Sequence, residues 1–417
     1  MTSLVEMAYD NVTIRLWNSI TIFRNSNMNE FLLNDTPIKV WAKYVDPHAW
    51  QEIDNLSRLP FIYHHLAFMP DVHGGMGMPI GGVLASEKAV VPNAVGVDIG
   101  CGMCAVKTNI MASDISKEII RKDIMSRIRQ RIPLGMEHHK ELQDESFMPQ
   151  GHDIDKLQVV GRQYVSARRQ VGTLGGGNHF IELQKDDEGH LWIMLHSGSR
   201  NLGKQVGEHY NKIAKELNTM YHSAVDPSWQ MHFLPLGSKE FTAYWKEMSY
   251  CVDFALCNRK LMMNRIMEIV ADALPQVEFG QIINIAHNYA SWEHHYGNDV
   301  IVHRKGAVRA MAGETGIIPG SQGTSSYIVE GLGCPESFMS SSHGAGRTMS
   351  RTEAIKTLSL KKEIEMLDSK GIIHGIRSQN HLDEAAGAYK NIDEVMANQQ
   401  DLVKIITKLS PMAVIKG

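Results

Sequence analysis

The stretch LWIMLHSGSRNLG, residues 191–203, joins an apolar run to a polar turn that contains glycine. Residues 191–195 are all apolar, which predicts a short buried strand. His196 follows directly, and an imidazole at a strand end is held rigidly enough to serve as a metal ligand. Arg200 lies in the same turn and could meet a phosphate with two hydrogen bonds. Taken alone, the pattern is explained better by a histidine that only packs in the core.

Two further apolar runs, residues 282–286 and 299–303, predict short buried strands. The first is followed by His287 and Asn288, which repeats the strand-end placement. Helical spacing of apolar residues predicts helices at residues 115–131, 203–221 and 241–274.

A glycine-rich stretch, GTLGGGNHFIE, occupies residues 172–182. It resembles a phosphate loop but lacks the Gly-Lys-Ser/Thr ending that such a loop requires. Asn178, His179 and Glu182 offer a donor, a metal ligand and an acceptor. A capped strand that carries a packed histidine is the alternative interpretation.

Asp98 and Cys101 lie three residues apart in VGVDIGCGMC, residues 95–104. The surrounding glycines let the backbone turn so that the carboxylate and the thiolate can converge on one metal, and a thiolate can bridge two. A redox motif would need a βαβ context, and a structural zinc site would need a second cysteine pair; neither is found. Cys104 is interpreted as a buried thiol.

His343 lies in the serine- and glycine-rich run SSSHGAGRTMSR, residues 340–351. Its neighbours do not suit packing on a helix face, and an imidazole can act as a nucleophile. A basic patch is predicted nearby from five residues, Arg304, Lys305, Arg309, Arg347 and Arg351.

Composition argues against a nucleic-acid-binding field over the whole protein, because the formal net charge of the 417 residues is −4. Five cysteines are too few, and odd in number, for a secreted disulfide framework. No signal peptide and no apolar run of the roughly 20 residues that a membrane helix needs is found. We therefore expect a cytoplasmic protein without membrane contact.

The predicted ligands narrow the choice of metal. One thiolate, one carboxylate and several imidazoles suit Zn, Mn, Fe or Co, and make Mg or Ca sites improbable. The residues alone do not choose among the first four.

Strands and helices do not alternate along the chain, so the prediction is a complex α+β fold with mixed sheets, surrounding helices and a central cleft. Residues 1–417 are expected to form one domain, with residues 1–35 as an N-terminal extension that contains an edge hairpin and residues 203–275 as a helical segment. Residues 94–100 are a strand candidate. His294 and His295 are expected on the solvated surface.

Nine collinear motifs resemble the RtcB family of RNA-splicing ligases, from about residue 39 to Gly417. They are MPDVHGGMGMPIGG, VGVDIGCGM, GTLGGGNHFIE, MLHSGSRNLG, HNYA, RKGA, GIIPGSQG, SHGAGR with MSR, and the Lys-Gly ending. The first 30 or so residues and residues 136–157 match poorly, and Ser341 stands where some members carry cysteine. These departures concern substrate choice.

The resemblance implies two Mn²⁺ per subunit, one on Asp98, Cys101 and His179 and one on Cys101, His196 and His287. It implies that His343 accepts GMP from GTP and that Arg200 contacts RNA. Asp71 and His73 would have a supporting or substrate role. The implied GTP- and GMP-binding residues are Asn178, His179, Phe180, Ile181, Glu182, His287, Asn288, Pro319, Gly320, Ser321, Gln322, Ser326, His343, Gly344, Ala345, Gly346, Tyr389 and Lys416.

The implied activity joins an RNA 3′-phosphate or 2′,3′-cyclic phosphate to a 5′-hydroxyl, in tRNA splicing or RNA repair. It proceeds through a histidine–GMP intermediate and an RNA end capped as (3′)pp(5′)G. Some members depend on an archease activator, and a monomer is expected. The alternative is a dinuclear metal phosphoesterase that acts on RNA ends, which gives no use for His343 or Lys416.

Overall fold

The computed structural model describes residues 6–9, 12–15, 23–25 and 27–417, with side chains from residue 27 onward. The strands, in chain order, are β1 (Glu6–Tyr9), β2 (Val12–Arg15), β3 (Phe23–Asn25), β4 (Met28–Leu33), β5 (Thr36–Val40), β6 (Ile62–Met76), β7 (Met78–Ser86), β8 (Ala89–Val90), β9 (Gly102–Met111), β10 (Phe180–Asp186), β11 (His190–Ser197), β12 (Leu234–Pro235), β13 (Ile283–Ala286), β14 (Asn288–His295), β15 (Asn298–Lys305), β16 (Ala307–Arg309), β17 (Thr315–Ile318), β18 (Ser326–Gly331), β19 (Ser340–Ser342) and β20 (Val403–Lys416).

The α-helices, again in chain order, are α1 (Pro47–Ser57), α2 (Pro92–Val95), α3 (Ser126–Arg131), α4 (Gln158–Gln170), α5 (Arg200–Met220), α6 (Lys239–Ala273), α7 (Arg351–Thr357), α8 (Leu360–Ser369) and α9 (Ile392–Ala397). A π-helical segment, Ile119–Met125, leads directly into α3. Among the described residues, no helix is both long and apolar enough to cross a membrane.

One sheet, which we call the ligand sheet, has the strand order β13-β9-β11-β10-β20-β18-β17 and is antiparallel throughout. Helix α6 covers one face of it, where Met262 and Ile266 pack in a buried cluster with Ile181 and Ile193. The opposite face carries a smaller buried cluster that includes Met103 and other apolar residues. With both faces covered, the strands are apolar on both sides, which explains the unbroken apolar run at residues 191–195.

The second sheet has the order β14-β15-β7-β6-β5-β4-β3. It is mixed, because β5 and β6 are parallel and the other described pairs are antiparallel. Helix α1 packs on it through Ile53 and Leu56, which are buried with Phe68 and Leu84. The predicted α+β class with mixed sheets and surrounding helices is confirmed.

Helix boundaries follow capping side chains. Ser116 Oγ accepts a hydrogen bond from the Ile119 amide, so the predicted helix at 115–131 starts just after that serine. Ser238 caps α6 in the same way through the Phe241 amide. The strand predicted at residues 94–100 is wrong. Pro92 opens the short helix α2, and Gly96 and Gly100 adopt φ angles of 86° and 74°, which break an extended chain.

The N-terminal segment is partly described. Strands β1 and β2 pair antiparallel, as a hairpin would, while residues 1–5, 10–11, 16–22 and 26 lie outside the described residues. Strand β4 pairs with β5 and so joins the second sheet. The division into an extension at residues 1–35 and one domain over the whole chain stays a prediction.

Candidate metal centre and nucleotide cavity

The five predicted metal ligands gather at one end of the ligand sheet. Asp98 and Cys101 lie in the loop before β9, and His179 immediately precedes β10. His196 is near the end of β11, opposite Met103 on β9 and Phe180 on β10. His287 follows β13, and its amide donates to the carbonyl of Cys101. Adjacent antiparallel strands thus bring residues distant in sequence to one point.

Their ligand atoms form two groups that share the thiol. The atoms of Asp98, Cys101 and His179 lie within 4.8 Å of one another, as do those of Cys101, His196 and His287. Cys101 Sγ is 3.5 Å from His179 Nε2 and 3.2 Å from His196 Nε2. The Nε2 atoms of His196 and His287 are 3.3 Å apart. This grouping could hold two metal ions bridged by one sulfur.

Hydrogen bonds fix which imidazole nitrogens are free. His179 Nδ1 donates to the carbonyl of Leu174 at 3.0 Å, and His196 Nδ1 donates to that of Asn178 at 3.1 Å. Carbonyls only accept, so both Nε2 atoms carry lone pairs that point into the cluster. Burial lowers the pKa of His196 and His287, which keeps them neutral as metal ligands must be. Converging lone pairs without a proton between them are a donor set for a cation.

The same surroundings shift the pKa values of the two acidic ligands, Asp98 and Cys101. Burial by itself would raise the pKa of Asp98, but the hydrogen bond and charge of His179 outweigh it and lower the pKa. Burial and the charge of Asp98 raise the pKa of the Cys101 thiol. A bound cation reverses that effect, since coordination deprotonates a thiol.

Helix α6 supports these loops from beneath through two consecutive, fully buried residues. Arg259 Nη1 donates to the carbonyl of Gly100 at 2.8 Å and to that of Ser197 at 2.9 Å, next to two of the ligands. Asn258 Nδ2 donates to the carbonyl of Gly198 at 3.1 Å. Neither residue was predicted from the sequence, because both lie inside a long helix and belong to no motif.

His343 is held by a carboxylate on the second sheet. Its Nδ1 donates to Asp71 Oδ2 at 2.6 Å, and its amide donates to the same oxygen at 3.1 Å. Its ring centroid is 4.8 Å from that of His287. Gly346 has φ 74°, and a Cβ there would lie 2.2 Å from the Asp71 carbonyl oxygen, so only glycine lets the loop close on Asp71. Nδ1 is therefore occupied, and Nε2 is the atom free to react.

A cavity of about 550 Å³ opens beside this histidine. Fourteen of the predicted site residues line it, and they are Asn178, Phe180, Glu182, His196, Pro319, Gly320, Ser321, Gln322, His343, Gly344, Ala345, Gly346, Tyr389 and Lys416. Burial raises the pKa of Glu182 to about 7. Burial also lowers the pKa of Lys416, whose ammonium lies 5.6 Å from the centre of the Phe180 ring.

Other predicted residues lie behind the cavity wall. Ile181 is fully buried in the core of the ligand sheet. Ser326 Oγ accepts from the Gly320 amide at 3.2 Å and so supports the loop in front of it. Asn288 Nδ2 donates to the carbonyl of Asp98 at 3.1 Å. Their assignment to nucleotide binding stays a prediction.

Arg200 begins α5 with a φ of 61°, an uncommon conformation for a residue other than glycine. Its guanidinium donates to Thr173 Oγ1 at 3.1 Å and to the Gly135 carbonyl at 3.2 Å. It makes no ion pair with any described acidic residue. Strain of this kind concentrates at functional sites.

Glu384, which the sequence analysis did not single out, organises one wall of the cavity. This buried carboxylate accepts from Arg347 Nη1 at 2.8 Å and from Arg351 Nε at 2.5 Å. The Tyr389 hydroxyl also donates to it. Its only sequence signal was its position five residues before Tyr389.

The predicted basic patch does not form as one surface: three of its members are buried or paired, whereas the two arginines that follow His343 line the cavity and share one carboxylate. Arg304 is fully buried and donates two hydrogen bonds to Glu293. Lys305 Nζ donates to two main-chain carbonyls at 2.8 Å. Arg309 pairs with Glu314, while Arg347 and Arg351 share Glu384.

The surface prediction for the histidine pair is half wrong. His294 is exposed, but His295 is 3% exposed and contacts Glu293 at 2.9 Å. The two residues are adjacent on β14, so their side chains point to opposite faces of the sheet. Cys104 lies buried in the ligand-sheet core, as predicted.

Comparison with known proteins assigns the chain to a family. The family model described as "tRNA-splicing ligase RtcB" matches residues 52–417. The RNA-splicing ligase RtcB of Escherichia coli K12 is 38% identical over 415 residues, which cover 94% of this chain and all of that protein. The tRNA-splicing ligase RtcB of Methanococcus maripaludis is 30% identical over 88% of this chain and 91% of its own length. The chain with the shared-thiol cluster and the carboxylate-held histidine is thus a member of the RtcB family.

Proposed function

We propose that this protein is an RNA ligase that uses GTP to join an RNA 3′-phosphate, or a 2′,3′-cyclic phosphate, to a 5′-hydroxyl. The observation that carries the proposal is His343, held by Asp71 with Nε2 free, beside a two-group metal cluster and a nucleotide-sized cavity. Membership in a family whose named relatives are RNA-splicing ligases supports it.

The cluster fits two Mn²⁺ ions. Asp98, Cys101 and His179 would hold one, and Cys101, His196 and His287 would hold the other. When bound, the ions neutralise charge on the transferring phosphate and lower the pKa of a bound water. Arg259 and Asn258 hold the ligand loops in position.

The first chemical step belongs to His343. Its Nε2 attacks the α-phosphorus of GTP, a P–N bond forms, and pyrophosphate leaves with the electrons of the broken P–O bond. Asp71 keeps the proton on Nδ1, which directs the lone pair of Nε2 at the phosphorus and offsets the positive charge that develops on the ring.

Two transfers follow. An oxygen of the RNA 3′-phosphate attacks the phosphorus of the histidine–GMP and releases His343. The 5′-hydroxyl of the second strand then attacks the RNA phosphorus, and GMP leaves as the phosphodiester forms. A cyclic phosphate would first be opened by water.

The cavity wall suits a guanine nucleotide. Guanine presents two adjacent N–H donors, which pair with a carboxylate, and Glu182 is a buried carboxyl in the wall. Lys416 brings a cation with no described ion-pair partner. The loop Pro319–Gln322 and the glycines after His343 let phosphates approach the backbone.

Arg200 is proposed to bind the RNA phosphate, since its guanidinium meets only neutral acceptors. We further propose that the enzyme is a cytoplasmic monomer that acts in tRNA splicing or RNA repair, and that an archease is its activator.

The test uses GTP labelled at the α-phosphate together with Mn²⁺. We expect a protein adduct with the mass of GMP that is acid-labile and absent from His343→Ala. His294→Ala is the matched control, because this histidine is exposed and outside the cavity. An unlabelled protein that instead hydrolyses 2′,3′-cyclic phosphate ends would establish the phosphoesterase alternative.

A further inference from the structure

The same cavity is also lined by residues that lie outside the proposed nucleotide contacts. Asp46, His48, His73, Gly74 and Ile80 form this part of the lining, which we call the histidine lobe. It lies along β6 and the start of α1, and none of these residues is needed for the first transfer proposed above.

His73 lies two residues after Asp71 on β6 and lines the same cavity as His343. His73 Nδ1 donates to the carbonyl of Asp71 at 2.9 Å. Because a carbonyl only accepts, the proton is on Nδ1 and Nε2 carries a lone pair. Burial lowers the pKa of His73 to about 4, so the ring is neutral near pH 7.

Charged side chains hold the main chain of the histidine lobe through hydrogen bonds. The Gly74 amide donates to Asp46 Oδ2 at 3.0 Å, and the Gly75 amide donates to Glu52 Oε2 at 2.8 Å. Lys305 Nζ holds the carbonyls of Met76 and Met78 at 2.8 Å. Three charged side chains, two of them buried, therefore hold the turn after His73 and fix the position of its imidazole.

Gly74 also brings the second histidine close. A Cβ at Gly74 would lie 2.4 Å from His48 Nδ1, so the His48 ring rests directly against this glycine. The lobe thus presents two imidazoles and one carboxylate. Lys390, whose ammonium donates to the carbonyls of Pro70 and Val72, lies close enough to offset part of the charge of Asp46.

We propose that the histidine lobe binds the RNA strand that carries the 5′-hydroxyl, and that His73 Nε2 accepts the proton of this hydroxyl during sealing. The inference rests on the proposed function and adds a site to it. The lone pair of His73 Nε2 favours the hydroxyl end, because it can accept a hydrogen bond from an O–H group, whereas a terminal phosphate dianion has no donor to offer it.

The step balances. The 5′-oxygen forms a bond to the phosphorus of the activated 3′ end as the O–H proton passes to His73 Nε2. The bond from that phosphorus to GMP breaks, and GMP leaves with the electron pair. The proton on His73 then returns to solvent, and no further reactant is needed.

The test separates sealing from the earlier steps. RNA already capped as (3′)pp(5′)G is mixed with a 5′-hydroxyl RNA and His73→Asn. The amide of asparagine can keep the hydrogen bond to the Asp71 carbonyl but offers nothing at the position of Nε2. We expect sealing to slow by about 100-fold or more, in the range for loss of a general base. Labelling of His343 by GTP in the same preparation reports that the variant is folded.

A second variant, His48→Asn, is expected to raise the concentration of 5′-hydroxyl RNA needed for half-maximal sealing, with a smaller effect on the maximal rate. His294→Asn is the control. Sealing by His73→Asn at the wild-type rate would overturn the inference, as would an equal loss of labelling and sealing, which indicates a purely structural role. Failure of the wild-type protein to label would instead refute the proposed function itself.

Discussion

Two walls of the cavity are built in different ways. The metal-ligand side is held by hydrogen bonds to main-chain carbonyls, from Arg259 and Asn258 below and from the Nδ1 atoms of His179 and His196. The nucleotide side is held by ion pairs around Glu384. Main-chain carbonyls are uncharged and fixed in the backbone, whereas an arginine can exchange one anion for another. The metal-ligand side is therefore preorganised before a metal binds, whereas the arginines of the nucleotide side can rearrange when a phosphate binds.

Asp71 holds the proposed nucleophile, and its replacement should have the largest effect. Asp71→Asn keeps the size of the side chain but loses the charge that holds His343 Nδ1. We expect GMP labelling to slow by about 10⁴-fold, the order found when a carboxylate that orients a catalytic histidine is neutralised. Single-turnover labelling at saturating GTP measures it. Nucleotide affinity should change little, and a loss confined to affinity would contradict the assigned role.

The ligand wall is tested by Arg259→Met, which leaves the carbonyls of Gly100 and Ser197 without their donor. We expect Mn²⁺ affinity to fall about 10- to 100-fold, as it does when groups that orient metal ligands are removed. Calorimetric titration with Mn²⁺ measures the affinity.

The control for this prediction is Glu247→Gln on the same helix. Glu247 is also buried and accepts from the Val159 and Val160 amides, far from the ligand loops. It should lower the melting temperature and leave Mn²⁺ affinity intact. Equal losses of affinity in the two variants would mean that helix stability, and not Arg259, sets the metal site.

The nucleotide wall is tested by Glu384→Gln. The change removes the shared anion of Arg347 and Arg351 and weakens the bond to Tyr389. We expect the GTP concentration for half-maximal labelling to rise about tenfold, equivalent to about 1.4 kcal/mol. The maximal labelling rate should fall less. A collapse of the rate at unchanged GTP dependence would show that Glu384 acts in the chemistry.

The smallest effect concerns pH. Burial raises the pKa of Glu182 to about 7 in the folded protein. The carboxyl is therefore mostly protonated below that pH, and its charged form becomes populated as the pH rises through about 7. If the carboxylate accepts the N–H groups of guanine, GTP should bind up to about tenfold more weakly at pH 6 than at pH 8. Titration of His343→Ala with GTP measures binding without reaction. Glu182→Gln should remove this pH dependence, and an unchanged profile in that variant would exclude Glu182 as its source.

The sequence was most informative where chemistry and local structure coincide. His196 and His287 end apolar strands, and antiparallel pairing of β9, β11 and β13 brings such ends together. Asp98 and Cys101 were recognisable from their spacing among glycines. The positions of the five ligand candidates were therefore predictable from strand ends and turns, before their distances were known.

Charge was the least predictable property. Arg304 and Lys305 suggested a basic surface, but each is buried against an acceptor 11 residues or more away in the chain. Asp71 lies 272 positions from His343, so no local pattern could show that contact. Glu384 and Arg259 act through partners on other elements. Pairings of this kind depend on tertiary contacts that a single sequence does not reveal.

The placement of β20 has a consequence for synthesis. This strand pairs with β10 on one side and β18 on the other, and it carries Lys416 into the cavity. The five metal-ligand candidates, the last of which is His287, emerge from the ribosome well before residues 403–416 are translated. A nascent chain could gather its metal ligands while the centre of the ligand sheet is still open, but its nucleotide cavity would lack the part of the lining that Lys416 supplies. GTP binding is thus expected to begin only after the newest strand has inserted between two older ones.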